Sequence, residues 1–485
     1  MNIERLSISS MLNVADTVQK PNYALGAVLP SIVHFGAGNF HRAHQAAYCD
    51  ALLNQGETRW GITGVSLRSA KMRDNLAPQN CLYTLAILGE KETRFRVVGA
   101  IQNMAVGPEN PQALIDLLAS EPTQLVTTTI TEKGYYLKNG VIDLESTDIA
   151  NDLASLTAPK TTYGYLAAGL IKRASKGDSP ITLLCCDNMN AGGERLRDGV
   201  HMLLAKHSPE TVSWVNENVA FSASMVDRVT PATDELLKTE VAQELGVQDA
   251  APVAAEPFTQ WIIEDNFAGD RPPFDKVGAL FVDDIAPFER VKLRFLNAGH
   301  SMLAALGYLV GDRFIHEALK RPTLAQFTEQ ALKLNVMPVT SVPDGLQAEH
   351  YIAQVFARFR NGNLPYAALQ VGTDSSQKIQ QRWFPSIDDA LKQSVDTRYL
   401  AFAVAAWVCF IHKALVRGDL NDPLIDEFTN SSSTGASSDV LAFLTLAGAN
   451  KFSFFSDTGF MASVHGYHDY INGMGVEEAI VHCFA

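Results

Sequence analysis

Cysteine is scarce in this 485-residue chain: there are six, at positions 49, 81, 185, 186, 409 and 483, with no CxxC pair. That excludes a disulfide framework and a CxxC redox centre, and fits a reduced, cytosolic protein. Cys185 and Cys186 adjoin. Neighbours on a strand face opposite ways and do not easily bridge, so both read as small buried hydrophobes. Positive charge is also short, with 39 Lys+Arg against 53 Asp+Glu and a net charge of −14. Such a surface does not follow a polyanion, so nucleic acid is not expected as a partner, while a local basic pocket for one small anion remains open. Long apolar runs are missing too. The longest, 401–411, is about half the ~20 residues a bilayer requires, and no membrane span is expected. The opening residues, MNIERLSISSMLN, carry Glu4 and no continuous apolar stretch, unlike a signal peptide.

What is present is 47% hydrophobic and 19% charged residues, the balance of a chain with a sizeable core. At about 150 residues per domain, the length suggests three structural units or two large ones. The first half alternates β-like runs with helical stretches. Residues 31–35 (SIVHF), 61–67 (GITGVSL), 95–101 (FRVVGAI), 124–130 (QLVTTTI) and 181–186 (ITLLCC) are rich in apolar and β-branched residues, with a helix-like segment over 162–175. Nearly continuous apolar strands separated by helices imply an α/β unit, a mostly parallel sheet covered on both faces. From about residue 287 the segments 288–309, 312–334, 349–360 and 399–416 show helical spacing and strands become scarce. The expected organisation is an α/β domain over 1–285 and a mostly helical one over 286–485. Residues 430–438 (NSSSTGASS) read as a polar loop.

Gly36-Ala37-Gly38-Asn39-Phe40-His41 follows the first strong strand and opens a helix, with Arg42 beside it. Glycines there let the backbone approach a pyrophosphate, which the free N–H groups of a helix start attract. The third position of GxGxxG is His41, and GxG pairs also occur in ordinary tight turns. The order of strand, GxG and helix in a doubly wound pattern favours a dinucleotide site of Rossmann type. An acid after the second strand would select NAD by binding the ribose hydroxyls. None follows 61–67; Arg68, Lys71 and Arg73 do. These suit the extra phosphate of NADP, or are solvated charges at a helix start, so NAD and NADP both stay open.

The stretch 287–301, PFERVKLRFLNAGHS, is the most informative. On a regular helix with Lys292 at zero, Glu289 lies at about 60°, His300 at about 80° and Asn297 at about 140°. The four share one face, bordered by Leu296 and Leu303. A solvent-exposed polar stripe has the same pattern. Against that, Asp187-Asn188 and Asp227-Arg228 end β-like runs, and ligands of open α/β sheets bind outside the carboxyl ends of strands.

The motifs GAGNFHRAHQ, TITEKGYY, CDNM, MVDRVTP, EPFTQWIIEDNF, PFERVKLRFLNAGHS and SSQK occur in this order between about residues 31 and 420. In that combination the chain resembles the polyol-specific long-chain dehydrogenases, the mannitol dehydrogenase family, which includes mannitol 2-dehydrogenase and fructuronate reductase. The resemblance implies a Rossmann-type N-terminal domain, a helical C-terminal domain and metal-independent hydride transfer to NAD(P). It implies that Lys292 is the general base, that Asn188 and Asn297 hold the developing alkoxide, that His300 meets a substrate hydroxyl and that Glu289 serves a proton path. Asp227, Lys378 and Arg358 would bind substrate. Gly36, Ala37, Gly38, Asn39, Phe40, Arg68, Thr131, Glu132 and Lys133 would bind the coenzyme.

The chemistry needs these residue types. Oxidising a secondary alcohol sends a hydride to the coenzyme and a proton to a base. A lysine is such a base when burial and nearby cations lower its pKa. Two amides can donate hydrogen bonds to the oxygen as it gains charge. Zinc spacing is absent, since His41 and His44 have no evident third ligand. The chain departs from many relatives in reading Asn297-Ala298-Gly299-His300 for NGSH, and Asp374-Ser375-Ser376-Gln377-Lys378 for DGSxK. Gln370 stands where mannitol 2-dehydrogenases carry arginine, and with Gln377-Lys378 it is similar to fructuronate reductases. The resemblance therefore leans towards a hexuronate, D-mannonate with D-fructuronate. Lys378 would partner the carboxylate, or would be a surface cation as most lysines are. Mannitol with fructose, or a pentitol, is the nearest alternative. A non-catalytic dinucleotide sensor has no need of the lysine and amides, and a zinc alcohol dehydrogenase lacks its ligands. A monomer is the default expectation.

Overall fold

The structure, a computed structural model, describes residues 4–138, 140–177, 179–432 and 438–484. The chain divides into two compact units, Met1–Ile285 and Ala286–Ala485.

The strands of the first unit are β1 (Ile32–Phe35), β2 (Ile62–Ser66), β3 (Tyr83–Leu88), β4 (Thr93–Val98), β5 (Ile101–Val106), β6 (Leu125–Thr128), β7 (Leu137–Lys138), β8 (Val141–Ile142), β9 (Ile181–Cys185), β10 (Val219–Asp227), β11 (Val253–Ala255), β12 (Gln260–Glu264) and β13 (Leu280–Val282). Eight of them form one sheet in the order β13-β12-β10-β9-β6-β1-β2-β5. All neighbours run parallel except β10 and β12. This is the Rossmann-type, mostly parallel sheet expected. Its inner strands β1, β6 and β9 are buried along their whole length because both faces of the sheet are covered there. Ile32 packs into one core, whereas Val33 and Phe35 pack into another. Cys185 and Cys186 likewise enter different cores.

One expected strand divides. Residues 95–101 are the end of β4 and the start of β5, and β4 belongs to a separate three-stranded sheet, β11-β3-β4. The chain leaves one sheet for the other at Gly99, where a Cβ would lie 2.5 Å from Leu25 Cδ2. The buried Asp50 carboxylate fixes the crossing. It accepts hydrogen bonds from Gly99 N (2.9 Å), Tyr23 Oη (2.6 Å) and Arg96 Nη2 (2.7 Å). Asp50→Ala strands these donors and the Arg96 charge. It is expected to cost about 3–5 kcal/mol of stability, read from the midpoint of a urea titration.

The second unit is helical around one apolar core. Helix Arg398–Arg417, which contains the 401–411 run, is the one helix among the described residues long and apolar enough to cross a membrane. With 78% of that apolar window buried inside the protein, its apolar length is used up as the core of this unit. The expected helix over 312–334 is broken. Helix Ile315–Ala318 ends before Arg321, Pro322 starts helix Pro322–Gln330, and Ala331–Val336 widens into a π-helix. Proline lacks the N–H to continue a helix and sits well at the first position of a new one. Of the expected loop 430–438, Asn430 and Ser431 end helix Ile425–Ser431; residues 433–437 lie outside the described residues.

Candidate active site

In the first unit β1 delivers the chain into the glycine turn. Gly36 has φ +94°, and a Cβ there would sit 2.2 Å from the Thr129 carbonyl oxygen, so only glycine fits. Gly38 caps helix Asn39–Ala43. A Cβ on Gly38 would meet only the Gly36 carbonyl at 3.8 Å, so the absent side chain leaves space for a ligand beside the helix start. His41, in place of the third glycine, stacks on His34 of β1 with ring centroids 3.4 Å apart. Burial pulls His34 down to about 3 and His41 well below its ordinary value. Two uncharged rings thus pack helix onto strand where a glycine would let the backbones close.

A cleft of about 450 Å³ opens at this turn. Gly36, Ala37, Gly38, Arg68 and Thr131 line it; Asn39, Phe40, Glu132 and Lys133 do not. Asn39 is turned to Thr233 (3.1 Å) and Arg42 (2.6 Å), and Phe40 stacks on His44. Glu132 and Lys133 are exposed. Arg42, beside the glycines in sequence, is buried and bonded to Asn39 and the Ala251 carbonyl, so it presents no charge to the cleft. Arg73 is neutralised by Asp74 and Glu109, and Lys71 is exposed. The cleft therefore meets Arg68, Lys160 and one carboxylate among the described residues, Asp148, which accepts from Tyr136 Oη at 2.7 Å.

The sequence places Asp187, the residue before Asn188, at the carboxyl end of an apolar run but gives it no role; in the structure it lies just past the end of β9. Its buried carboxylate accepts from Thr131 N (2.7 Å), Thr128 Oγ1 (3.1 Å) and Tyr135 Oη (2.7 Å). It thereby holds Thr131 at φ +64°, a conformation costly for a branched residue. The TITEKGYY loop beside the cleft is pinned by this one acid, and the signal was an Asp closing an apolar strand. Asp187→Asn keeps the shape but replaces one accepting oxygen by a donor. It is expected to weaken coenzyme binding about 10-fold or more, read by NADH fluorescence titration. Asn188 is exposed at this strand end, and Asp227 ends the adjacent β10, buried.

In the second unit Lys292 and Asn297 are the first and last residues of a π-helical segment, Lys292–Asn297. Regular geometry put them about 140° apart. In a π-turn, residues five apart are joined by the i→i+5 hydrogen-bond pattern, so they come towards one face. The two side chains are thus closer to one line than the sequence indicated. Lys292 is 8% exposed. Arg294 pins the segment from another side, donating to the Val339 carbonyl (2.8 Å) and Asp389 Oδ2 (2.6 Å). Glu289 lies in the preceding helix, Ala286–Val291. His300, in helix Ala298–Val310, stacks on Phe359 (4.8 Å) and meets the edge of Tyr366 (5.2 Å). Arg358 precedes Phe359 in helix Ala348–Phe359. Lys378, half-buried in helix Ser375–Arg382, donates to the Val371 carbonyl at 3.2 Å. Among the described residues no three His, Cys, Asp or Glu side chains gather as metal ligands.

A glycine turn of this form, opening a helix at the end of the first strand of a parallel sheet, is that of a dinucleotide-binding protein. Residues 30–276 match the mannitol dehydrogenase Rossmann domain and 284–454 the mannitol dehydrogenase C-terminal domain. The chain belongs to the mannitol dehydrogenase family. The family is one of NAD-dependent oxidoreductases that act on CH–OH groups, and this chain is an enzyme of that kind. It is 38% identical to a mannitol 2-dehydrogenase of Aspergillus fumigatus over 89% of each chain. It is 35% identical to the D-mannonate oxidoreductase of Escherichia coli over 96% of this chain and 97% of that one. The structure of Pseudomonas fluorescens mannitol 2-dehydrogenase, a ternary complex with NAD and D-mannitol, has a TM-score of 0.83 at 34% identity, covering 99% of both chains.

Proposed function

We propose that this enzyme interconverts a secondary alcohol of an open-chain sugar acid with the corresponding ketone, D-mannonate with D-fructuronate, using NAD and no metal. The observation that carries the reaction is the π-turn that begins at a buried Lys292 and ends at Asn297, five residues on. Bound NAD supplies the hydride acceptor; Gly36, Gly38 and Arg68 would hold it, the glycines leaving room for its phosphates. The Lys292 amine takes the hydroxyl proton as the carbinol hydrogen leaves as hydride, and the product is a ketone beside an ammonium. The Asn297 amide donates to the oxygen while its charge is largest, and Asn188 is assigned the second donor. Glu289, one helical turn before Lys292, returns the proton to solvent. His300, held by Phe359 and Tyr366, addresses a further hydroxyl. Asp227, Lys378 and Arg358 are assigned to the remaining substrate groups.

The choice of a sugar acid rests on Gln370 and the Gln377-Lys378 pair, with the near full-length likeness to a D-mannonate oxidoreductase. Mannitol with fructose is the second reading, favoured by the 38% identity to a mannitol 2-dehydrogenase. Oxidation of NADH and NADPH is to be followed with fructuronate, tagaturonate, fructose and xylulose separately. Turnover of fructuronate with NADH is expected. Turnover of fructose and not fructuronate replaces the substrate, and silence with every ketose overturns the proposal.

A further inference from the structure

Two arginines hold the π-turn, Arg294 from within it and Arg382 from another helix, and they are treated differently. Arg294 has a carboxylate partner, Asp389, at 2.6 Å. Arg382, the last residue of helix Ser375–Arg382, makes no ion pair among the described residues. Its Nη1 donates to Ser301 Oγ at 2.7 Å and to the Asn297 carbonyl oxygen at 3.4 Å. The next residue, Trp383, donates from Nε1 to the Ala298 carbonyl at 3.2 Å. The end of this helix is therefore fixed against the segment that carries Asn297, Ser301 and, between them, His300.

That anchoring uses one nitrogen of three. Nε and Nη2 of Arg382 have no acceptor among the described residues, and neither is among the sealed, unpartnered polar atoms. They form an open edge of two parallel donors. Burial pulls the guanidinium down to about 10, which leaves it charged at neutral pH. A desolvated cation without a counter-ion is unfavourable, and a two-donor guanidinium edge matches a carboxylate with two parallel hydrogen bonds. Lys378, one helical turn earlier, adds a second cation to the same face of the helix.

We infer that the Nε–Nη2 edge of Arg382 binds the carboxylate of the sugar-acid substrate. The inference rests on the sugar-acid reading above and names the residue that would distinguish an acid from an uncharged polyol. Arg382→Met retains the aliphatic stem and removes the fork; Arg382→Lys retains the charge alone. With D-fructuronate and NADH, Arg382→Met is expected to lower kcat/KM about 100-fold, nearly all of it in KM. Its kcat and its NADH affinity should stay within about threefold of the parent, and Arg382→Lys should fall between. A loss in kcat at unchanged KM would overturn the assignment and make Arg382 a positioning residue acting through Asn297 and Ser301. An unchanged KM and kcat would remove it from the site. A parent enzyme active on fructose and inactive on fructuronate sinks the sugar-acid reading and this one together. An active parent with an unaffected Arg382→Met sinks this one alone.

Discussion

Lys292→Ala is expected to lower turnover by about 10³- to 10⁴-fold while NADH binding stays within a few-fold of the parent. The size follows from what a positioned base contributes to proton transfer. The separation of the two effects follows from where the groups lie. The glycine turn and its cleft are built wholly from the first unit, between residues 35 and 162, and Lys292 opens the π-turn of the second. Deleting the amine removes the proposed proton acceptor and no part of the cradle. Lys292→Arg tests whether charge alone suffices. A guanidinium is always protonated near neutrality, so this variant should be as inactive as alanine. Steady-state turnover and NADH fluorescence, measured on the same preparations, check both statements.

Asn297→Ala is expected to lower kcat by about 10²- to 10³-fold with a much smaller change in KM, because the lost hydrogen bond is made to charge that develops in the transition state. Asn297→Asp should be worse, since it puts a negative charge where the oxygen becomes negative. Fold loss is not the expected cause. The Asn297 backbone carbonyl, not its side chain, is what meets Arg382, and a neighbouring carbonyl anchors Trp383. A circular dichroism melt within a few degrees of the parent, beside a kcat two orders lower, is the expected pair of readings. Asn188→Ala is expected to lower kcat in the same manner.

The parallel sheet was legible because its inner strands are buried on both faces and so read as unbroken apolar runs, as in residues 181–186. The small sheet was not. Its strand β4 merges in sequence with β5, and what parts them is the Asp50 carboxylate, 49 positions from the Gly99 N–H it holds. Composition near Gly99 carries no sign of that contact. The proposed catalytic face was legible as residue types and illegible as geometry. A regular period was the only available rule, and a π-turn obeys another. The roles of Arg382 and Asp187 escaped for a shared reason. Each is defined by the presence or absence of partners distant in sequence: Arg382 by Ser301, 81 positions away, and Asp187 by Thr131, 56 positions away. The substituted glycine at His41 was visible, but its partner His34 became meaningful only when strand and helix were stacked.

The central claim is that the Lys292 amine takes the proton. Its most direct test is rescue of Lys292→Ala by small amines such as methylamine. Turnover near zero is expected without amine. It should be restored in proportion to the unprotonated amine, and so rise with pH at fixed total amine. A Lys292→Ala enzyme that turns over within tenfold of the parent with no amine present would contradict it.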